Sequence, residues 1–245
     1  MKATLKNWAG MLAQLPLMRI MSGSHTSLSE YLGPTRFLDS DHPDVLGLAR
    51  DATASAATAK GMATALYYAV RDGIRYDPYR IDLAPDSMRA SAVLQRGFGF
   101  CVPKAVLLAA AARAVGIPAR LGFADVRNHL ATDRLLRLMG TDVFTYHGYA
   151  ELHVDDTWVK ATPAFNASLC ERFDVAPLEF DGRSDSVFQE FDRRGNKYME
   201  YLRDHGHYAD LPLDQMVTAF RTHYPELMTG KGYHLPGRFE EEAPN

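Results

Sequence analysis

The segment that most constrains this chain is Ala105-Val106-Leu107-Leu108-Ala109-Ala110-Ala111-Ala112, an unbroken apolar run flanked by Lys104 and Arg113. Alanine and leucine are strong helix formers, and a helix that is apolar all round has to be covered all round. The rest of the chain is therefore expected to wrap one central, mostly buried helix. Pro103 suits its first turn, where a missing N–H costs no hydrogen bond, and Gly116 stops it. Cys101 falls at the opening, behind Gly97-Phe98-Gly99-Phe100. A thiol at a helix start feels the positive end of the aligned peptide dipoles, which lowers its pKa and raises the thiolate fraction. That predicts a nucleophile; the structural alternative is a small buried apolar residue.

At 245 residues and 47% hydrophobic content the chain can bury one sizeable core, and no Pro-rich or Gly/Ser-rich linker divides it. A single domain over residues 1–245 is expected, with an N-terminal arm (1–26), a core (27–169) and a C-terminal helical extension (170–245) that could cap a cleft. A net charge of −3 provides no field for nucleic acid or an anionic membrane, so neither is expected as a partner. The nine histidines are scattered and the two cysteines, Cys101 and Cys170, make no disulfide framework. Neither a metal nor another cofactor is expected, and a reducing cytoplasm is the simplest setting. The run Met1–Gly23 is interrupted by Gln14, Pro16 and Arg19, which makes a poor signal peptide.

Along the chain, Thr58–Arg71 repeats apolar residues at helical spacing, Ser87–Leu94 reads as a helix capped by Ser87, and Ile117–Ala124 as a strand. An insertion, Asp125–Thr141, carries a short helix at Asp133–Met139 closed by Gly140. The clearest element is a β-hairpin: Tyr146–Val154 alternates, Asp155-Asp156 makes a two-residue turn, and Thr157–Thr162 returns. That register sets Glu151 opposite Lys160 and places His147, Tyr149 and Glu151 on one face. Tyr198–Gly206 and Leu213–Tyr224 read as amphipathic helices, and the acidic stretch Pro236–Asn245 as frayed.

A thiol at a helix start and a histidine opening a hairpin are a nucleophile and a base on different elements. At this point the residues resemble a known family. The runs Ala65-Leu66-Tyr67-Tyr68-Ala69-Val70-Arg71-Asp72-Gly73-Ile74-Arg75-Tyr76, Ala92–Cys101 and Ala112–Arg120, with the hairpin after them, are similar to the transglutaminase-like core. The resemblance covers about Ala65 to Asn166. It implies an α+β, papain-like fold in which the cysteine helix packs on a small antiparallel sheet, with additional N- and C-terminal helices. It also implies Cys101 as nucleophile and His147 as base.

The family ends the return strand in an aspartate that orients the histidine, and the equivalent position here is Thr162. Its hydroxyl can accept an imidazole N–H but supplies no negative charge. Asn166 is a second candidate for the orienting role. An oxyanion hole is expected from the Cys101 backbone N–H with Tyr76 or Tyr79. Arg127, beside Asn128 and His129, is a candidate for binding a substrate carboxylate, and Tyr149 shares the His147 face. The expected activity is a hydrolase or acyl transferase acting on an amide, isopeptide or thioester of a small molecule or peptide. The alternatives are a noncatalytic binding protein on the same fold, or an enzyme that cleaves a carbon–carbon bond or cyclises a small metabolite.

Overall fold

The computed structural model of the protein describes residues 28–129, 131–188, 198–228 and 232–243; the expected arm at 1–26 lies outside them. Helix α1 (Pro43–Thr53) starts with Pro43 in its first turn and the His42 ring accepting the Asp44 amide. In α2 (Ala59–Gly73) the Thr58 hydroxyl accepts the Gly61 amide at 3.1 Å. Two short strands, β1 (Arg75–Tyr76) and β2 (Arg80–Asp82), lead to α3 (Ala90–Arg96), which ends at Gly97 with φ 71°. The short strand that follows, β3 (Phe98–Gly99), pairs in parallel with β1 and delivers the chain to α4 (Cys101–Ala114).

Every residue of α4 from Cys101 to Arg113 is buried, as its all-round apolar sequence requires. It packs against α1, α2 and α3 on one side and the main sheet on the other. Its two cations are buried with it and satisfied by carbonyl groups. Lys104 Nζ donates to Arg71 O and Ile74 O at 2.8 and 2.5 Å, at the C-terminal end of α2. Arg113 donates to Gly33 O, Ala119 O and Ala209 O. Carbonyls left over at a helix end are good partners for a cation.

The main sheet is antiparallel in the order β6-β5-β4-β7, built from β4 (Ala119–Asn128), β5 (Val143–Val154), β6 (Thr157–Ala161) and β7 (Met199–Tyr208). Helix α5 (Asp133–Met139) is capped by Thr132 and closed by Gly140, as read from the sequence. Helix α6 (Ala167–Arg172) follows β6, and α7 (Leu213–His223) follows β7. A last strand, β8 (Gly232–His234), pairs with β2. The mixed helix-and-sheet architecture is the one the sequence implied. Among the described residues no helix is long and apolar enough to cross a membrane.

The hairpin has the expected register, Glu151 opposite Lys160, around Asp155 and Asp156 at φ 48° and 63°. Two successive left-handed residues are what a two-residue turn with the strands' own twist needs, and aspartate tolerates them. The carboxylate of Glu151, however, meets Arg120 on β4, and Lys160 Nζ lies 5.2 Å from the centre of the Tyr149 ring. Three other expectations are corrected. Tyr198–Gly206 is strand, not helix: β7 pairs with β4 through two register shifts, and these break the two-residue alternation by which a strand is recognised. Thus the C-terminal region contributes a sheet edge as well as helix α7. The helix read from Ser87 starts at Ala90, because the Ser87 hydroxyl donates to Asp82 instead of capping. The acidic C-terminal stretch is not frayed at Phe239–Glu242, which forms a 3-10 turn with Phe239 buried.

Candidate active site

Cys101 occupies the first position of α4, and the strand beside it is β5. The close approach of the two depends on Gly148. A Cβ on that residue would stand 3.0 Å from Val102 Cγ2 and 3.1 Å from Val102 Cα. With no side chain there, the Gly148 amide reaches the Cys101 sulfur, joining the Val102 and Cys101 amides around it. The expected lowering of the thiol pKa is corrected. Burial pushes Cys101 up to about 11, and the three amides that favour the thiolate only partly offset it. The resting group is a neutral thiol.

His147 immediately precedes Gly148. The bend that delivers it is made by Tyr146, a non-glycine residue at φ 53°. Asp125 on β4 holds that bend: its Oδ1 accepts the Thr145 hydroxyl at 2.6 Å and the Tyr146 amide at 3.0 Å. Tyr224, the residue that ends α7 as its C-cap, adds a second clasp, accepting the Thr145 amide and donating to Val143 O. Burial lowers the His147 pKa to about 4, so the imidazole rests neutral, with a free lone pair for a proton. Cys101 and His147 line one cavity. Among the described residues no hydrogen bond joins them.

Thr162 is buried, and it lines a small second cavity together with His147. Neither His147 Nε2 nor Thr162 Oγ1 has a hydrogen-bond partner among the described residues. The expected direct Thr162–His147 bond is thus not formed. Asn166 is committed elsewhere: its Nδ2 donates to Arg71 O and Ile74 O, and its Oδ1 accepts the Tyr76 amide at 2.7 Å.

The two tyrosines separate clearly. Tyr76 lines the Cys101 cavity, and burial keeps its phenol protonated, hence a donor. Tyr79 donates its hydroxyl to Glu242 at 2.5 Å and lies under the Arg134 guanidinium, away from the cavity lining. Arg127 pairs with Asp142 at 3.3 Å and does not line the cavity. Asn128 lies by Cys170 in a separate small cavity. Tyr149 is packed against Ala124 and Val126, its ring filling the space over Gly122.

Several contributors escaped the sequence reading. Gly148 left a signal, a glycine within an alternating strand, which marks close approach of another backbone. Asp125 and Tyr224 left none, since both act only through pairings distant in sequence.

Residues 47–163 match the family described as the transglutaminase-like superfamily. This stretch, which carries Cys101, the hairpin with His147 and Thr162, is a transglutaminase-like domain. A candidate cysteine protease from Cytophaga hutchinsonii is similar to this chain at 15% identity and a TM-score of 0.44, over 74% of this chain and 54% of its own. A candidate protease from Parabacteroides distasonis ATCC 8503 is similar at 17% identity and a TM-score of 0.37, over 58% and 26%. This chain thus spans about half of the first structure and about a quarter of the second. No curated protein matches.

Proposed function

We propose that this protein is a cysteine enzyme that cleaves or transfers an acyl group from an amide, isopeptide or thioester through an acyl-enzyme on Cys101. The observation that carries this reading is the shared cavity: a thiol at the start of a buried helix and a neutral imidazole face the same space, held together by the Gly148 approach. In the reaction His147 takes the thiol proton as Sγ attacks the carbonyl carbon, and then gives it to the leaving amine or thiol. Water, deprotonated by the same imidazole, completes hydrolysis; an amine or thiol in its place completes transfer. The Cys101 backbone N–H and the Tyr76 hydroxyl are the donors for the oxyanion. A neutral resting pair requires the proton transfer to accompany attack, and the dyad hydrogen bond to form once substrate is bound.

The test is acylation by an activated ester, read by intact-protein mass. One acyl group should add to Cys101, none to Cys101→Ala, and His147→Ala should slow the reaction by roughly a hundredfold or more. Acylation unaffected by either change would sink the reading. The rival reading is a binding protein without turnover, favoured by the unpaired His147 Nε2 and Thr162 hydroxyl. It requires saturable binding with the ligand recovered unchanged.

A further inference from the structure

The cavity shared by Cys101 and His147 constrains the group that can enter it. Among the described residues no Lys, Arg, Asp or Glu lines it; its walls come from Phe100, Leu135, Met139, Phe144, Phe220 and Met228. The polar atoms that do face it are mostly occupied. The Tyr224 hydroxyl donates to Val143 O, the Tyr233 hydroxyl to Pro78 O at 2.8 Å, and the Thr145 hydroxyl to Asp125. A charged group entering this space would lose its water and gain no counter-ion. The arginine that the sequence suggested for a carboxylate, Arg127, is paired with Asp142 and does not line the cavity.

The space is also small. Its volume is about 50 Å³. A dry apolar cavity of about 150 Å³ is what benzene fills, so in proportion this one has room for an alkyl chain of about two carbon atoms beyond the reacting carbonyl. Four separate elements close it: α5 through Leu135 and Met139, β5 through Phe144, α7 through Phe220, and the segment after α7 through Met228.

We infer that this cavity is an acyl-specificity pocket for a short, uncharged aliphatic acyl group, of acetyl to butyryl size. The inference rests on the acyl-enzyme reading above and adds the substrate class to it. In the step concerned, a bond forms between Cys101 Sγ and the carbonyl carbon while the bond from that carbon to the leaving thiol or amine breaks. The thiol proton passes by way of His147 to the leaving group, so no oxidant or other co-reactant is needed.

The experiment is a series of thioesters with one small common thiol leaving group, carrying acetyl, butyryl, octanoyl or succinyl, each incubated with the full chain. Formation of the Cys101 adduct is followed by intact-protein mass. Acetyl and butyryl are expected to react more than about tenfold faster than octanoyl, which the walls exclude, and butyryl more than about tenfold faster than succinyl, which has the same carbon count and a charge. Met139→Ala opens the wall at α5 and should raise the octanoyl rate relative to butyryl, a gain that a merely destabilised protein would not give. Phe144→Ala tests the same shift from β5. Octanoyl or succinyl reacting as fast as butyryl on Cys101 would overturn the specificity while leaving the acyl-enzyme intact. No adduct from any member, with the thiol still titratable in the unfolded chain, would overturn both.

Discussion

The His205 Nε2 atom lies 2.7 Å from Asp125 Oδ1, and the His205 ring stacks on Tyr146 with centroids 4.2 Å apart and planes at 22°. The pair therefore grips both sides of the bend that presents His147, from β7 and from β4. Burial pushes the Asp125 carboxyl upward, but the Thr145 hydroxyl, the His205 ring and the Tyr146 amide together hold its pKa below the ordinary carboxylate value. Asp125 is a positioning residue with three partners to lose.

Asp125→Ala is accordingly expected to cost about 1–3 kcal/mol of stability, as buried donors lose their acceptor. It should also slow Cys101 acylation by roughly tenfold at temperatures where the variant is folded, since His147 is no longer held in place. Thermal melting and adduct formation measured together check this. Full reactivity in the folded variant would mean that the bend keeps its shape without the carboxylate.

Stability should depend on pH in two windows. The unfolded chain protonates His147 near pH 6.5 and the folded protein only at about 4, so between these values the unfolded state binds more protons and stability falls as pH drops. The full loss from this one group is about 3 kcal/mol. At the other end Cys101 ionises near 9 when unfolded and about 11 when folded, so stability falls again as pH rises through that interval. Melting curves of the protein and of His147→Gln across the acid window check the first effect; the variant should lose most of the slope.

Gly148→Ala places a methyl group about where the Val102 backbone stands, with contacts of 3.0 and 3.1 Å. The strand or the helix has to yield, at about 1–3 kcal/mol. Because the same contact brings the Gly148 amide to the sulfur, the change should also alter the rate at which Cys101 takes an acyl group. Crystallography of the variant, or its acylation rate against melting temperature, separates the two effects. An unchanged rate would show that this approach does not matter to the thiol.

Thr162 supports a sharper pair of variants. Thr162→Val removes a hydroxyl without a hydrogen-bond partner among the described residues, so melting should stay within about 1 kcal/mol of the parent. Thr162→Asp sets a carboxylate beside the buried imidazole and should raise the His147 pKa above its present value of about 4. NMR titration of the ring reads the shift directly. An unmoved pKa would mean that residue 162 does not face the ring closely enough to orient it.

The features legible in the sequence were those written in local patterns. The apolar run Ala105–Ala112 forced a central helix, and the alternation on either side of Asp155-Asp156 fixed the hairpin register. The strand β7 was illegible because its two shifts against β4 leave no regular period, and its partner lies about 80 residues away in sequence. Lys104 read as a charged interruption, yet it is fully buried, because the acceptors that tolerate it are carbonyls at the end of another helix. Likewise, the cysteine position was readable but its environment was not. The walls around it come from Leu135, Phe144, Phe220 and Met228, which no spacing rule relates to residue 101. Arg127 and Asn166 had the right chemistry for a site and were engaged by Asp142 and by backbone groups instead.

The 3-10 turn at Phe239–Glu242 has a consequence for the order of assembly. Glu242 accepts from Tyr79, Thr132 and Arg134, while Phe239 lies against the rings of Tyr76 and Phe173. These partners are all translated long before residue 242 leaves the ribosome. The hydrogen bonds of Glu242, which join it to partners 108 to 163 residues earlier, therefore form only after the segments around Tyr79 and Thr132 have been made.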